Sequence, residues 1–182
     1  MSVYITYFVH GTTVDNQNHV ASGWLPGELS EKGIGQTFAL KENIDTNKFD
    51  AVFCSDLKRA IDSANNVFGD KYEINTDSRL RECNYGILNG KDNSLVVYEE
   101  HIETPFEEGE SMLDIEKRMN EFCLFLLENY NEKNVAIVAH KAPQLALDVR
   151  TKHITWEEAI ANDWRKTKAW KPGWEYVIDW LK

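Results

Sequence analysis

Apolar residues follow two rhythms along this chain. Short unbroken runs predict strands buried on both faces, as parallel sheets require. Such runs lie at residues 3–8, at Phe49-Asp50-Ala51-Val52-Phe53-Cys54 and at Val135-Ala136-Ile137-Val138-Ala139. Tyr72-Glu73-Ile74 predicts another short strand. Near the far end Trp174, Tyr176, Ile178 and Trp180 alternate with Glu175, Val177, Asp179 and Leu181, the period-two pattern of a final strand. Elsewhere the period is helical. Ser30 can cap a helix that carries Ile34, Phe38 and Leu40 inward, though Gly33 and Gly35 weaken it. Leu57, Ala60, Ile61, Ala64 and Val67 give the next helix a buried face, with Ser55 or Asp56 as its cap. Ser111 opens the longest helix, with Met112, Ile115, Met119, Phe122 and Leu126 inward. Pro143 fits the first turn of a helix through Leu145, Leu147 and Val149. Thr155-Trp156-Glu157-Glu158 reads as a capping box.

Two stretches keep neither rhythm, residues 11–28 and 75–110. A loop as long as the second is expected to be functional or partly helical. Strands alternating with helices predict an α/β fold with helices on both faces of the sheet. No repeat or linker interrupts residues 1–182, so one domain is expected.

Charge and cysteine content narrow the function. Thirty acidic against twenty basic residues give a formal charge of −10, which argues against a nucleic-acid partner. A small anion is not excluded, because a local cation cluster outweighs a global field at short range. The three cysteines, Cys54, Cys83 and Cys123, are scattered and form no metal-like pair, which suits a reducing compartment. No apolar run reaches the ~18 residues of a membrane span. Met1 leads almost at once into a strand with no basic, apolar leader, so a cytoplasmic protein is expected.

The strand ends carry the chemistry. Two strands stop at histidine, His10 and His140, and another stops at Ser55, one helical turn before Arg59. If these strands are parallel neighbours, their ends open on one rim, where ligands of α/β sheets bind. An arginine in the first turn of a helix opposes the helix dipole, and an anion resting there would explain it. A neutral imidazole is a competent nucleophile towards phosphorus. Cationic donors stabilise the spread charge of the transition state, and a carboxylic acid such as Glu82 can protonate the leaving alcohol. A metal held by the two histidines with Asp56 and Glu82 is disfavoured, since Arg59 would repel a dication. No metal and no cofactor are therefore expected.

Val9-His10-Gly11-Thr12-Thr13-Val14-Asp15-Asn16 resembles the opening motif of the histidine phosphatase superfamily, the phosphoglycerate-mutase-like fold. The resemblance continues through Cys54-Ser55-Asp56-Leu57-Lys58-Arg59, Arg79-Leu80-Arg81-Glu82, Gly109-Glu110-Ser111 and Val138-Ala139-His140. It implies a three-layer αβα sandwich with a mostly parallel central sheet. It also implies a phosphohistidine on His10, Arg59 and His140 as phosphate ligands, and Glu82 as proton donor. Gly11, Thr13, Asn16 and Ser55 fall in the matching motifs as phosphate- or substrate-binding candidates.

Two departures stand out. The family has arginine where this chain has Val9, and commonly glycine where it has Lys141. Lys141, or Arg165 with Lys166 returning from the tail, is expected to supply the missing cation. The tail also gathers Trp156, Trp164, Trp170, Trp174 and Trp180, read as a packed helix and strand, or else as an aromatic wall for substrate. An exposed aromatic patch there could serve a homodimer. The expected activity is metal-free hydrolysis of a small phosphomonoester, of the α-ribazole-phosphatase or broad-specificity kind. The alternatives are a phosphate-binding or regulatory protein that has lost turnover and, behind it, a phosphoglycerate-type mutase. The interval between Glu82 and Gly109 is short for the mutase insertion.

Overall fold

A computed structural model of the chain describes residues 1–180. Strand β1 (Ser2–Val9) leads through the one-turn α1 (Val14–Gln17) and a loop into α2 (Glu31–Asn43). Then come β2 (Ala51–Cys54), α3 (Lys58–Phe68) and β3 (Ile74–Thr76). A long connection containing four 3-10 turns reaches α4 (Met112–Asn129), followed by β4 (Asn134–Ala139) and α5 (Lys141–Lys152). The chain continues through α6 (Trp156–Ala161), α7 (Trp164–Thr167) and β5 (Trp174–Asp179). The sheet order is β3-β2-β4-β1-β5, with only β5 antiparallel to its neighbour.

The sheet is the middle of three layers. Val135, Ile137 and Ala139 of β4 join one apolar cluster with Met112, Ile115, Met119 and Phe122 of α4 and Leu145 of α5. Ala136 and Val138 point the other way, into a cluster with Phe8, Phe49, Ala64, Val67 and Phe68. This two-sided burial is why β4 carries no polar residue between Val135 and Ala139. The edge strand β5 buries Tyr176 and Ile178 and exposes Glu175, Val177 and Asp179, as the alternation requires; Leu181 lies outside the described residues.

Three local expectations are corrected. Helix α2 turns Ile34 and Phe38 to solvent and buries Gly33 and Thr37 instead, with Leu40 against the smaller cluster. The reason is a close approach: a Cβ on Gly33 would lie 2.0 Å from the Thr12 carbonyl oxygen. Only glycine lets α2 dock against the loop after β1 on that side. Neither Ser55 nor Asp56 caps α3. Leu57 is the N-cap and makes no side-chain cap bond, while both oxygens of Asp56 accept from Arg81. Strand β3 begins at Ile74, and Tyr72 before it anchors the loop by donating its hydroxyl to the Thr46 and Phe49 carbonyls. Among the described residues no helix is long and apolar enough to cross a membrane.

Candidate active site

β2, β4 and β1 are parallel neighbours, so His10, Ser55 and His140 do meet on one rim. The register pairs Val9 with Ala139, which sets the two histidines side by side. The His10 N–H donates to the Ala139 carbonyl at 3.1 Å and prolongs the ladder. Its ring Nδ1 lies 2.7 Å from the Gly11 carbonyl. A carbonyl can only accept, so we assign the proton to Nδ1, leaving Nε2 of the neutral ring with a free lone pair. Burial, and after it the charge of Arg59, pull the His10 pKa down to about 4. The ring is therefore neutral at ordinary pH.

His140 lies 5.0 Å away, centroid to centroid, and is only 1% exposed. Among the described residues neither of its ring nitrogens has a hydrogen-bond partner. Burial, then Arg59 and His10, push its pKa well below the usual histidine range. Its backbone is clamped by Tyr7 of β1. The Tyr7 hydroxyl accepts from the His140 N–H at 3.0 Å and donates to the His140 carbonyl at 2.7 Å.

Glu82 explains why the His140 ring stays free. His140 is the N-cap of α5 but makes no cap bond with its side chain. Glu82, from the long connection, does that work. Its Oε2 accepts from Lys141 N–H at 3.1 Å, and its Oε1 accepts from Ala142 N–H at 3.0 Å. Oε1 also takes the Cys83 N–H and the Tyr98 hydroxyl, at 2.9 and 3.3 Å. Oε2 thus has the spare capacity to exchange a proton. The carboxylate sits at the positive end of the helix dipole. The Glu82 carbonyl is braced by Trp24 Nε1 at 2.8 Å and Arg118 Nη2 at 3.0 Å.

Arg59 is 2% exposed and bonded only to carbonyls, those of Leu25, Pro26 and Gly23. Among the described residues no carboxylate hydrogen-bonds it; Glu82 and Asp15 act on its charge only through space. Gly23 has φ +50°, the left-handed backbone that turns this loop around the guanidinium. These side chains line a cleft of about 1250 Å³, together with Gly11, Asn16, Tyr85, Tyr98, Lys141, Trp164 and Arg165. Asn16 spends its carbonyl oxygen on the Thr13 N–H, which leaves its amide N–H groups for the cleft.

Two candidates stay outside. Thr13 is fully buried and caps α1 through its hydroxyl, which accepts from Asn16 N–H at 3.0 Å. Ser55 is fully buried, and its hydroxyl accepts from Leu57 N–H at 3.3 Å. Both stiffen the rim from behind. Lys166 is tied to Glu99 at the surface. Residues that sequence reasoning passed over also reach the site. Tyr85 and Tyr98 line it and hydrogen-bond each other at 2.8 Å, and Tyr7 and Trp24 hold its histidine and its acid. Tyr85 and Tyr98 stand 13 residues apart in the irregular stretch, and no spacing marked them, Tyr7 or Trp24 as site residues. Among the described residues no three His, Cys, Asp or Glu side chains gather to hold a metal ion.

The sequence model of the histidine phosphatase superfamily (branch 1) matches residues 7–174, nearly the whole chain. The protein belongs to that superfamily. Histidine phosphatase structures share its architecture. An α-ribazole phosphatase from Shigella flexneri superposes with a TM-score of 0.76 at 24% identity, over 88% of this chain and 84% of that one. A mycobacterial glucosyl-3-phosphoglycerate phosphatase in complex with VO3 gives 0.77 at 25% identity, over 88% and 86%. Similarity to curated proteins is more local. A 2,3-bisphosphoglycerate-dependent phosphoglycerate mutase of Neisseria meningitidis is 31% identical over 94 residues, 48% of this chain and 41% of the mutase. The corresponding mutase of Bacteroides fragilis is 33% identical over 91 residues, 47% and 37%. The matched segments thus span about two-fifths of those mutases.

Proposed function

We propose that this histidine phosphatase hydrolyses small-metabolite phosphomonoesters, without a metal, through a phosphohistidine on His10. The observation that carries the reading is the pair of rings. His10 has a fixed tautomer with Nε2 free, and His140 beside it has two buried nitrogens without partners. Buried polar atoms left unpaired cost roughly 1–3 kcal/mol. A phosphoryl oxygen accepting from the single N–H of neutral His140 removes that cost for one of the two nitrogens while phosphorus sits in line with Nε2 of His10.

Charge supports the same ligand. Arg59 contributes one positive charge, and Lys141 with Arg165 shares the single carboxylate of Asp163. With Glu82 protonated, as the first step requires, two positive charges are left over to match a phosphate dianion. In the first step Nε2 forms a bond to phosphorus, the ester P–O bond breaks, and protonated Glu82 gives its proton to the departing alkoxide. In the second step water attacks phosphorus, Glu82 takes the proton, the P–N bond breaks, and inorganic phosphate leaves. Arg59 and His140 hold the equatorial oxygens through both steps, where they act more strongly than on the ground state. The acidic chain offers no broad basic face for a polyanion, so the substrate is a small molecule. Cytoplasmic residence fits the three buried free thiols.

Hydrolysis of a generic aryl phosphate with EDTA present tests the reading, comparing wild type with His10→Ala. Wild type should turn over and the variant should not. Chelator-sensitive activity would overturn the metal-free route. Phosphate binding without hydrolysis of any phosphoester in a broad metabolite panel would favour a binding protein of the same fold.

A further inference from the structure

On the β1 side of the rim Val9 offers no hydrogen-bond donor, although it lines the cleft. The tail supplies a cation there in an elaborate setting. Asp163, the N-cap of α7, is buried; its Oδ1 accepts from the Arg165 N–H at 3.0 Å and from Arg165 Nη1 at 2.9 Å. Gln144 of α5 is also buried, and its Oε1 accepts from Arg165 Nη2 at 3.2 Å and Trp164 Nε1 at 3.0 Å. The Arg165 guanidinium stacks 4.3 Å from the Trp164 ring centroid, and Trp164 in turn stacks on Trp174 at 4.9 Å.

We infer that Arg165 contacts the substrate phosphate, and that Asp163, Gln144 and Trp164 form a cradle that positions it; the turnover arm of the test rests on the phosphatase reading above. Three contacts, to Asp163, Gln144 and the Trp164 ring, orient one guanidinium on a four-residue helix that could not hold it by itself. Arginine has five N–H donors, and the two Nη bonds use two of them, so three remain. A planar fork fits phosphate bidentately, which an ammonium cannot do. Lys141 has a different post. Its Nζ lies over the Tyr98 ring at 4.2 Å and 3.7 Å from Asp163 Oδ2, an oxygen that is buried with no hydrogen bond. Asp163 is thus shared by two cations, Arg165 at 2.9 Å and Lys141 at 3.7 Å, and the pair keeps one net positive charge towards the cleft. The charge of Arg165 also bears on both histidines, lowering their proton affinity.

Binding of inorganic phosphate, followed by calorimetry, tests this whether or not the protein turns over. Arg165→Met should weaken binding roughly 10–100-fold, the usual range for losing charge-assisted hydrogen bonds, and Arg165→Lys should recover part of it. Lys166→Ala, beside it but paired with Glu99, should bind as wild type does. On an aryl phosphate, Asp163→Asn should raise KM in the wild-type background and do so much less in Arg165→Met, where only its pairing with Lys141 is left. Independent, additive effects would make Asp163 merely structural and overturn the cradle. If Arg165→Met fails to fold, Arg165→Lys carries the test. Phosphate binding equal to wild type in every folded Arg165 variant overturns the proposal. Wild type that binds phosphate but hydrolyses nothing would sink the phosphatase reading while the binding data still decide the role of Arg165.

Discussion

Tyr7→Phe isolates the coupling between the first strand and the second histidine. Phenylalanine fills the same buried volume, so no cavity opens, and only the hydroxyl disappears. That hydroxyl is the partner of the His140 N–H and a donor to the His140 carbonyl. The N–H lies in a fully buried strand end and is orphaned, at a cost of about 1–3 kcal/mol. The lost bond to the carbonyl adds about 1 kcal/mol. The total of roughly 2–4 kcal/mol is a large part of the 5–15 kcal/mol that stabilises an ordinary domain. For a chain of this length each kcal/mol moves the melting temperature by about 2–4 °C, so a drop of roughly 4–16 °C is expected. Calorimetry measures it, with urea titration checking that the m-value is unchanged. kcat should fall as well, since the His140 backbone is no longer pinned opposite Nε2 of His10. A drop of less than about 2 °C with full activity would refute the clamp, because it would mean that another group satisfies the His140 N–H.

Other expectations concern charge and fit. By NMR the His10 ring should titrate near its lowered value of about 4 rather than near 6.5. Its folded pKa lies below its unfolded one, so the unfolded chain binds the extra proton. Stability should fall as pH drops from about 6.5 through 4, and a His10 midpoint near 6.5 would contradict the buried, neutral nucleophile. Arg59→Met should reduce phosphate affinity and loosen the loop at Gly23, Leu25 and Pro26, seen as faster amide exchange there; unchanged exchange would rule out the bracing role. Gly33→Ala should destabilise by about 1–3 kcal/mol, since its Cβ would meet Thr12 backbone at 2.0 Å. Gly35→Ala, with nothing within 4 Å, should stabilise the same helix by about 0.5–1 kcal/mol. Equal effects of the two alanines would show that helix propensity, not close approach, governs α2.

The parts of this protein legible in its sequence are those set by local rhythm. A run of five apolar residues ending in histidine makes a two-sided buried strand that delivers a ring to the rim, and this holds for β4 whatever surrounds it. Thr155 and Ser111 announce their helices because a capping box closes within four residues. Which face of a helix turns inward is another matter. Ile34 and Phe38 look like an inward pair by spacing, yet the Gly33 contact with the loop after β1 rotates them to water. Contacts made across long stretches of chain leave no periodic mark. Glu82 caps a helix that begins 59 residues later, and Tyr7 clamps a residue 133 positions away. The tail was legible as aromatic and basic, but not as a support for one guanidinium. Asp163 and Arg165 are near in sequence, whereas Gln144 and Trp174 reach them only when α5 and β5 pack on the same sheet. The sequence by itself determined the buried strands β1, β2 and β4, the caps at Ser30, Ser111 and Thr155, and the histidines at the strand ends. Tertiary packing alone decided what surrounds those histidines, because hydrogen bonds and charges at such separations exist only once the sheet has brought the ends together.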